Sequence, residues 1–267
     1  MAEPLVFTVD CFTDRPFAGN PNAVCLLDAD WPATQWLQQL AGELNLPASA
    51  FVRHDGRDIE LRWFSPQTEL ALCGSGTLAA AHVLWETGDP ANTLAFNTSA
   101  GILRAHREPD RRITLDFPLD DPQPVPAPPT LSAALGVTPL AVSRGRLDLL
   151  VELDSTETVR GLTPDLSALA VLDARGVIVT AVGDADSDFV SRFFAPAAGI
   201  DEDPVTASAH CILGAYWSKK LGKTALSGLQ VSARRGRVDL RLRDDGVSLT
   251  GQAVTVTRGN LAFGIRA

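Results

Sequence analysis

Two short segments of this 267-residue chain combine residue types able to hold a small anion and to move a proton. The first is Cys73-Gly74-Ser75-Gly76-Thr77. The second is Asp203-Pro204-Val205-Thr206-Ala207-Ser208. Each stands where an apolar helix is predicted to begin. The first turn of a helix leaves backbone N–H groups unbonded and carries partial positive charge, so it attracts carboxylates. Glycines at 74 and 76 let a ligand come close to the backbone. A thiolate is stabilised at a helix start, which makes Cys73 a candidate proton-transferring base; a small buried apolar residue is the other reading. Asp203 reads either as a general acid or base or as a helix cap. Ser208 reads as a donor to a carboxylate or as an ordinary first-turn serine.

The elements that must position these residues are legible from periodicity. The helix after Cys73 runs from about Gly76 to Thr87 and stops at Gly88; it is apolar nearly all round and therefore buried. The helix after Asp203-Pro204 carries Val205, Ala209, Ile212, Leu213, Tyr216 and Trp217 and ends at Gly222. Asp30 is the expected cap of a third helix with an apolar face of Trp36, Leu37, Leu40, Ala41 and Leu44. A short helix lies near Pro164–Leu172. Apolar and polar residues alternate through Leu5–Cys11, Ile113–Phe117 and Val238–Leu242, the pattern of half-buried, mainly antiparallel strands. One buried helix among many strands in each half indicates an α+β fold, each sheet curled around its central helix.

The halves resemble each other. Phe64-Ser65-Pro66 precedes Ala81-His82-Val83-Leu84-Trp85, and Phe194-Ala195-Pro196 precedes Ala209-His210-Cys211-Ile212-Leu213. Such a repeat suggests two similar units with a cleft between them. Half of the residues in Pro118–Pro129 are proline, which excludes a helix or a central strand there. The expected organisation is an N-terminal lobe over 1–118, a Pro-rich linker over 119–130 and a C-terminal lobe over 131–267. His82 and His210 lie inside apolar helices and read as hydrogen-bonded core residues.

A formal net charge of −9 disfavours a nucleic-acid backbone and anionic membrane surfaces. No apolar run reaches the length of a membrane span and no export signal is visible at the N-terminus, so a cytoplasmic protein is expected, with Cys11, Cys25, Cys73 and Cys211 as thiols. No grouping of His, Cys and carboxylates has metal-ligand spacing. Gly74–Ala79 fits G-x-G-x-x-A, a dinucleotide fingerprint. The next strand candidate, Leu94-Ala95-Phe96, is followed by Asn97 and Thr98 and not by the acidic residue a ribose requires.

Four motifs in order carry a resemblance. Asp10–Thr13 with Phe17–Val24, Leu44–Leu46 with Phe51-Val52, Glu69–Gly74, and Gly199–His210 resemble the phenazine-biosynthesis PhzF-like family over nearly the whole chain. The resemblance implies a diaminopimelate epimerase-like fold: two pseudo-symmetric lobes, each a curved, mainly antiparallel sheet around a central helix, with the active site between them. It implies an isomerase that moves a proton on a small carboxylate without metal or organic cofactor, often as a homodimer. Carried onto this sequence, it places Asp203 and Cys73 as catalytic candidates. Asn20, Gly74, Ser75, Gly76, Thr77, Ala207 and Ser208 become the substrate-binding positions.

This chain departs from the family pattern at two positions. The family's acid/base glutamate falls at Ala48, and its histidine after Cys-Gly is Ser75. Two readings follow. One is a proton-transfer isomerase working with Asp203 or Cys73. The other is a catalytically impaired homologue that binds small carboxylates.

Overall fold

The computed structural model describes residues 4–27, 30–54, 58–244 and 246–262. The chain divides into two units, Met1–Asp116 with Thr250–Ala267, and Phe117–Leu249.

In chain order the strands of the first unit are β1 (Leu5–Cys11), β2 (Asn20–Leu27), β3 (Ala48–His54), β4 (Ile59–Phe64), β5 (Glu69–Leu70), β6 (Thr93–Thr98), β7 (Gly101–Arg107) and β8 (Ile113–Phe117). Its helices are α1 (Thr34–Leu44) and α2 (Gly74–Glu86). The second unit holds β9 (Gln123–Pro124), β10 (Ala141–Arg144), β11 (Asp148–Glu152), β12 (Gly176–Val182), β13 (Phe189–Ala195), β14 (Ile200–Asp203), β15 (Ala225–Gln230), β16 (Gly236–Arg243) and β17 (Gly246–Gly251). Its α-helices are α3 (Leu131–Leu135), α4 (Thr156–Gly161), α5 (Leu166–Ala170) and α6 (Ala207–Leu221). The last strand, β18 (Ala253–Asn260), lies antiparallel to β1.

The repeat read from F-x-P and A-H extends to the topology. In the first unit β2 pairs parallel with β3, β3 antiparallel with β4, β4 antiparallel with β5, and β4 parallel with β6 across α2. In the second unit β11 and β12, β12 and β13, β13 and β14, and β13 and β15 repeat the same four pairings around α6. The sheets are therefore mixed, and the fold is α+β.

Each unit is layered. Buried Phe51, Phe64, Cys25 and Leu27 face Leu37, Leu40 and Ala41 of α1. The opposite face of the same strands carries α2, whose residues from Ser75 to Trp85 are buried apart from His82. In the second unit Val151, Val177, Val179 and Phe194 pack with Leu131, Val159 and Leu169 of the short helices. The other face meets α6: the Trp217 indole donates to Thr180 Oγ1 at 3.0 Å, and Phe189 stacks on Trp217.

Four expectations need correction. The final residues do not belong to the C-terminal lobe, because β18 returns to β1 in the first unit. The Pro-rich segment is not a free linker: Gln123–Pro124 pair with β10, Val125 N–H donates to Val142 at 3.0 Å, and the segment belongs to the second unit. Proline is tolerated on an edge strand, where its missing N–H costs no ladder bond. Asp30 does not cap α1; the helix starts at Thr34 with Ala33 as a cap that makes no side-chain bond. Asp203 does not cap α6 either. Proline disfavours helical backbone in the residue before it, so Asp203 ends strand β14 and Thr206 is the N-cap.

Candidate active site

The first cluster is built at the start of α2. Cys73 is the N-cap, and its Sγ accepts the Gly76 N–H at 3.4 Å. The Ser75 hydroxyl donates to Asn22 Oδ1 at 3.2 Å and lies 3.5 Å from Cys73 Sγ. Asn22 in turn donates from Nδ2 to the Asn20 carbonyl at 3.0 Å, and the Cys11 thiol donates to the Ser75 carbonyl at 3.4 Å. All of these residues except Cys73 are buried. Strand register explains the cluster. Asn22 is paired with Ala48 in the parallel ladder, Asn20 with Cys11, and Ala50 with Trp63, and paired residues share a face. That face meets α2. A Cβ on Gly76 would stand 2.7 Å from Trp63 Cδ1, so glycine is what lets the helix lie against the indole.

Ala48, 2% exposed, therefore sits on the inner face beside Asn22 and offers only a methyl group. The hydroxyl next to it, on Ser49, falls by alternation on the face toward α1, where its Oγ is buried without a partner. It does not replace the absent carboxylate. Thr77 is likewise turned into the packing: its hydroxyl donates to the Cys73 carbonyl at 2.7 Å.

The second cluster is built at the start of α6. The Thr206 hydroxyl donates to Asp203 Oδ2 at 2.6 Å, and the Thr206 N–H donates to Gln230 Oε1 at 2.9 Å. Gln230, fully buried, donates from Nε2 to the Asp203 carbonyl at 2.7 Å. Strand β14 is anchored one residue earlier. Glu202 accepts two bonds from Arg192, at 2.7 and 2.9 Å, and Arg192 also donates to the Leu162 carbonyl at 2.6 Å. Asp203 is thus fixed in backbone and side chain while remaining only half-buried. Ala207 and Ser208 open the helix, and Ser208 Oγ accepts from Arg175 Nη2 at 3.0 Å. The Thr206 contact fixes the orientation of the Asp203 carboxylate.

The four thiols differ sharply. Burial, with the charges of Cys73 and Asp10, pushes the Cys11 thiol well above its ordinary value. Burial, with the charge of Asp120, pushes Cys211 up to about 12. Cys25 is buried, and Cys73 alone is partly exposed. Iodoacetamide at neutral pH is expected to label the Cys73 peptide first under native conditions, as peptide mass spectrometry would show; preferential labelling of Cys11, Cys25 or Cys211 would contradict this placement.

His210 lies on α6 close to this site but takes no part in it. It is fully buried, its Nδ1 is 2.8 Å from the Thr206 carbonyl, and its Nε2 has no partner among the described residues. Burial lowers its pKa to about 4, against a small opposing effect of the Thr206 bond. The folded-state value is below the unfolded one, so its contribution to stability is present above pH ~6.5 and lost as the pH falls toward about 4. Roughly 2 kcal/mol of this should disappear between pH 6.5 and 5. Urea unfolding at pH 7 and pH 5 measures it, and His210→Leu should flatten the difference.

The structure gathers Cys73, Gly74, Ser75, Gly76, Asn20 and Ala48 in one unit, and Asp203, Ala207 and Ser208 in the other. Sequence reading missed Asn22, Cys11, Gln230, Thr206, Arg175 and Asp148. Asn22 stands inside the Asn20–Ala23 motif and could have been weighed with it. Gln230 and Arg175 carry no local signal, because they reach the site from strand β15 and from the bend before β12. Among the described residues, no group of three or more His, Cys, Asp or Glu side chains could hold a metal ion, and no helix is long and apolar enough to cross a membrane.

A mixed sheet on a buried helix is the build of the epimerase-like fold. A probable proline racemase from Agrobacterium radiobacter, 14% identical, shares this fold with a TM-score of 0.66, covering 97% of this chain and 93% of that one. Residues 9–259 match the phenazine biosynthesis-like protein family (PhzC-PhzF), and the chain belongs to that family. An uncharacterized isomerase from Pseudomonas aeruginosa is 50% identical over 254 residues, 95% of this chain and 96% of the relative. A PhzF-family phenazine biosynthesis protein from Enterococcus faecalis is 40% identical, with a TM-score of 0.93 over 98% of this chain and all of that one. The chain is thus an isomerase-like member of the family.

Proposed function

We propose that this chain is a cofactor-independent isomerase that shifts a proton on a small carboxylate, with Asp203 as the group that moves it. The observation that supports this best is the Asp203–Thr206–Gln230 arrangement. It holds one half-exposed carboxylate rigidly at the start of a buried helix. In the proposed step the ionised Asp203 takes a proton from a carbon activated by neighbouring unsaturation. The C–H electron pair moves into the conjugated system, and Asp203 returns the proton at a different carbon. Nothing is oxidised or reduced, and Asp203 ends as it began. Cys73 is the lesser candidate, because its sulfur already serves as the α2 cap. A soluble homodimer is part of the proposal, on family resemblance.

Ala48 favours a second reading, a carboxylate-binding homologue without turnover, since the inner face offers no acid or base there. A panel of small unsaturated carboxylates incubated in D₂O separates the two. Deuterium at carbon in the recovered ligand supports the isomerase. Tight binding with an unlabelled ligand supports the binding protein.

A further inference from the structure

Asp148 is 1% exposed, and it holds Arg175 with both oxygens: Arg175 Nε donates to Oδ1 at 2.8 Å, and Nη2 donates to Oδ2. The same Nη2 donates to Ser208 Oγ at 3.0 Å. Arg175 lies over the Phe193 ring, 5.6 Å from its centroid, and its side chain keeps 34% of its surface exposed. A fork locked by a buried carboxylate is preorganised, since little rotamer freedom remains to be lost.

The consequence falls on Ser208. A guanidinium has donors and no acceptor. Ser208 Oγ must therefore be the acceptor in this bond, and its own proton cannot point at Arg175. The usual alternative for a serine in a helix is the carbonyl four residues back. That carbonyl, on Pro204, accepts the Ser232 hydroxyl at 2.8 Å and takes no bond from Ser208. Among the described residues the Ser208 proton has no acceptor, and the first three N–H groups of α6, on Ala207, Ser208 and Ala209, precede its first intrahelical bond, from His210 to Thr206.

We infer that Asp148 and Arg175 form a positioning relay that fixes Ser208 as a hydrogen-bond donor to the substrate's carboxylate, so that Arg175 sets the preference for a carboxylate over its neutral amide. The inference rests on the carboxylate reading of this site and deepens it. Arg175 acts in two ways. It fixes the Ser208 proton, and its charge compensates a carboxylate placed near Asp203, which lies within electrostatic reach of Arg175. A carboxamide gains neither fully, because its NH₂ group cannot accept the Ser208 proton.

Binding is measured calorimetrically for a panel of cyclic and linear mono- and dicarboxylates, benzoate among them, each against its carboxamide. Ser208→Ala and Arg175→Met are each expected to weaken carboxylate binding by about ten- to hundredfold while changing carboxamide binding little. The double variant should be no weaker than Arg175→Met alone, because the Ser208 donor is lost by either route. Arg175→Lys keeps the charge but cannot span Asp148 and Ser208 together. It should match Ser208→Ala and serves should Arg175→Met fail to fold. Thermal midpoints of all variants separate loss of binding from loss of structure. Wild-type selectivity in the Arg175 variants, or losses that add in the double variant, would overturn the relay alone. Failure of the wild-type protein to bind any carboxylate of the panel would overturn the functional reading and the relay with it.

Discussion

Replacing Asp203 by Asn should lower proton exchange by about 10²–10⁴-fold, the usual cost of losing a general acid or base, while leaving the fold and carboxylate binding nearly intact. Asn is nearly isosteric with Asp, and its carbonyl oxygen can still accept the Thr206 hydroxyl, now 2.6 Å from Oδ2. The Gln230 bond goes to the Asp203 backbone carbonyl and is untouched by the substitution. What disappears is the lone pair basic enough to take a proton from carbon. Turnover should collapse while the dissociation constant moves by a few-fold at most, the pattern of a group that acts only in the transition state. A parallel loss of binding would indicate instead that Asp203 shapes the site without doing its chemistry.

The second large effect is expected from Phe189→Ala. Phe189 is fully buried on β13 and touches α6 twice: its ring stacks on Trp217 at 6.1 Å and lies 5.9 Å from the His210 ring. Gly228 on the neighbouring strand accommodates the ring, since a Cβ there would stand 2.4 Å from Phe189 Cζ. Truncation leaves a cavity lined by two aromatic groups and a glycine, which cannot swing in to fill it. The cost should be about 3–5 kcal/mol in urea unfolding. Because α6 carries Ser208 and the Thr206 cap, exchange activity should fall as well. A loss below roughly 1 kcal/mol would mean that the core repacks around the gap.

The sequence showed best whatever is written locally. Strand β1 spans Leu5–Cys11 as the alternation indicates, although Asp10 is buried together with Val9 and Cys11, and α6 ends at Gly222, whose φ of 66° suits glycine. The repeat was visible in a handful of positions and proved to extend through four matching strand pairings. The start of α6 was misplaced because Asp-Pro was weighed as a capping pair, when the proline's effect on the preceding residue is the stronger constraint there. The Pro-rich stretch was misjudged because edge pairing leaves no sequence trace beyond tolerance of proline.

The site was legible only along the chain. Cys73–Thr77 and Asp203–Ser208 are contiguous motifs, so they could be found. Gln230 and the Asp148–Arg175 fork reach α6 through the order of strands β11, β12 and β15, and no spacing rule encodes that. The resemblance located Ala48, and the register places it opposite Asn22 on the face that meets α2.

The central claim is that Asp203, rather than Cys73, moves the proton. The most direct measurement compares deuterium incorporation into the same carboxylate by wild-type protein, Asp203→Asn and Cys73→Ser in D₂O. Cys73→Ser should stay within about tenfold of wild type and Asp203→Asn should fall by a hundredfold or more, consistent with the general-base range of about 10²–10⁴. An Asp203→Asn protein that exchanges at the wild-type rate, with Cys73→Ser inactive, would contradict it and move the chemistry to the thiol.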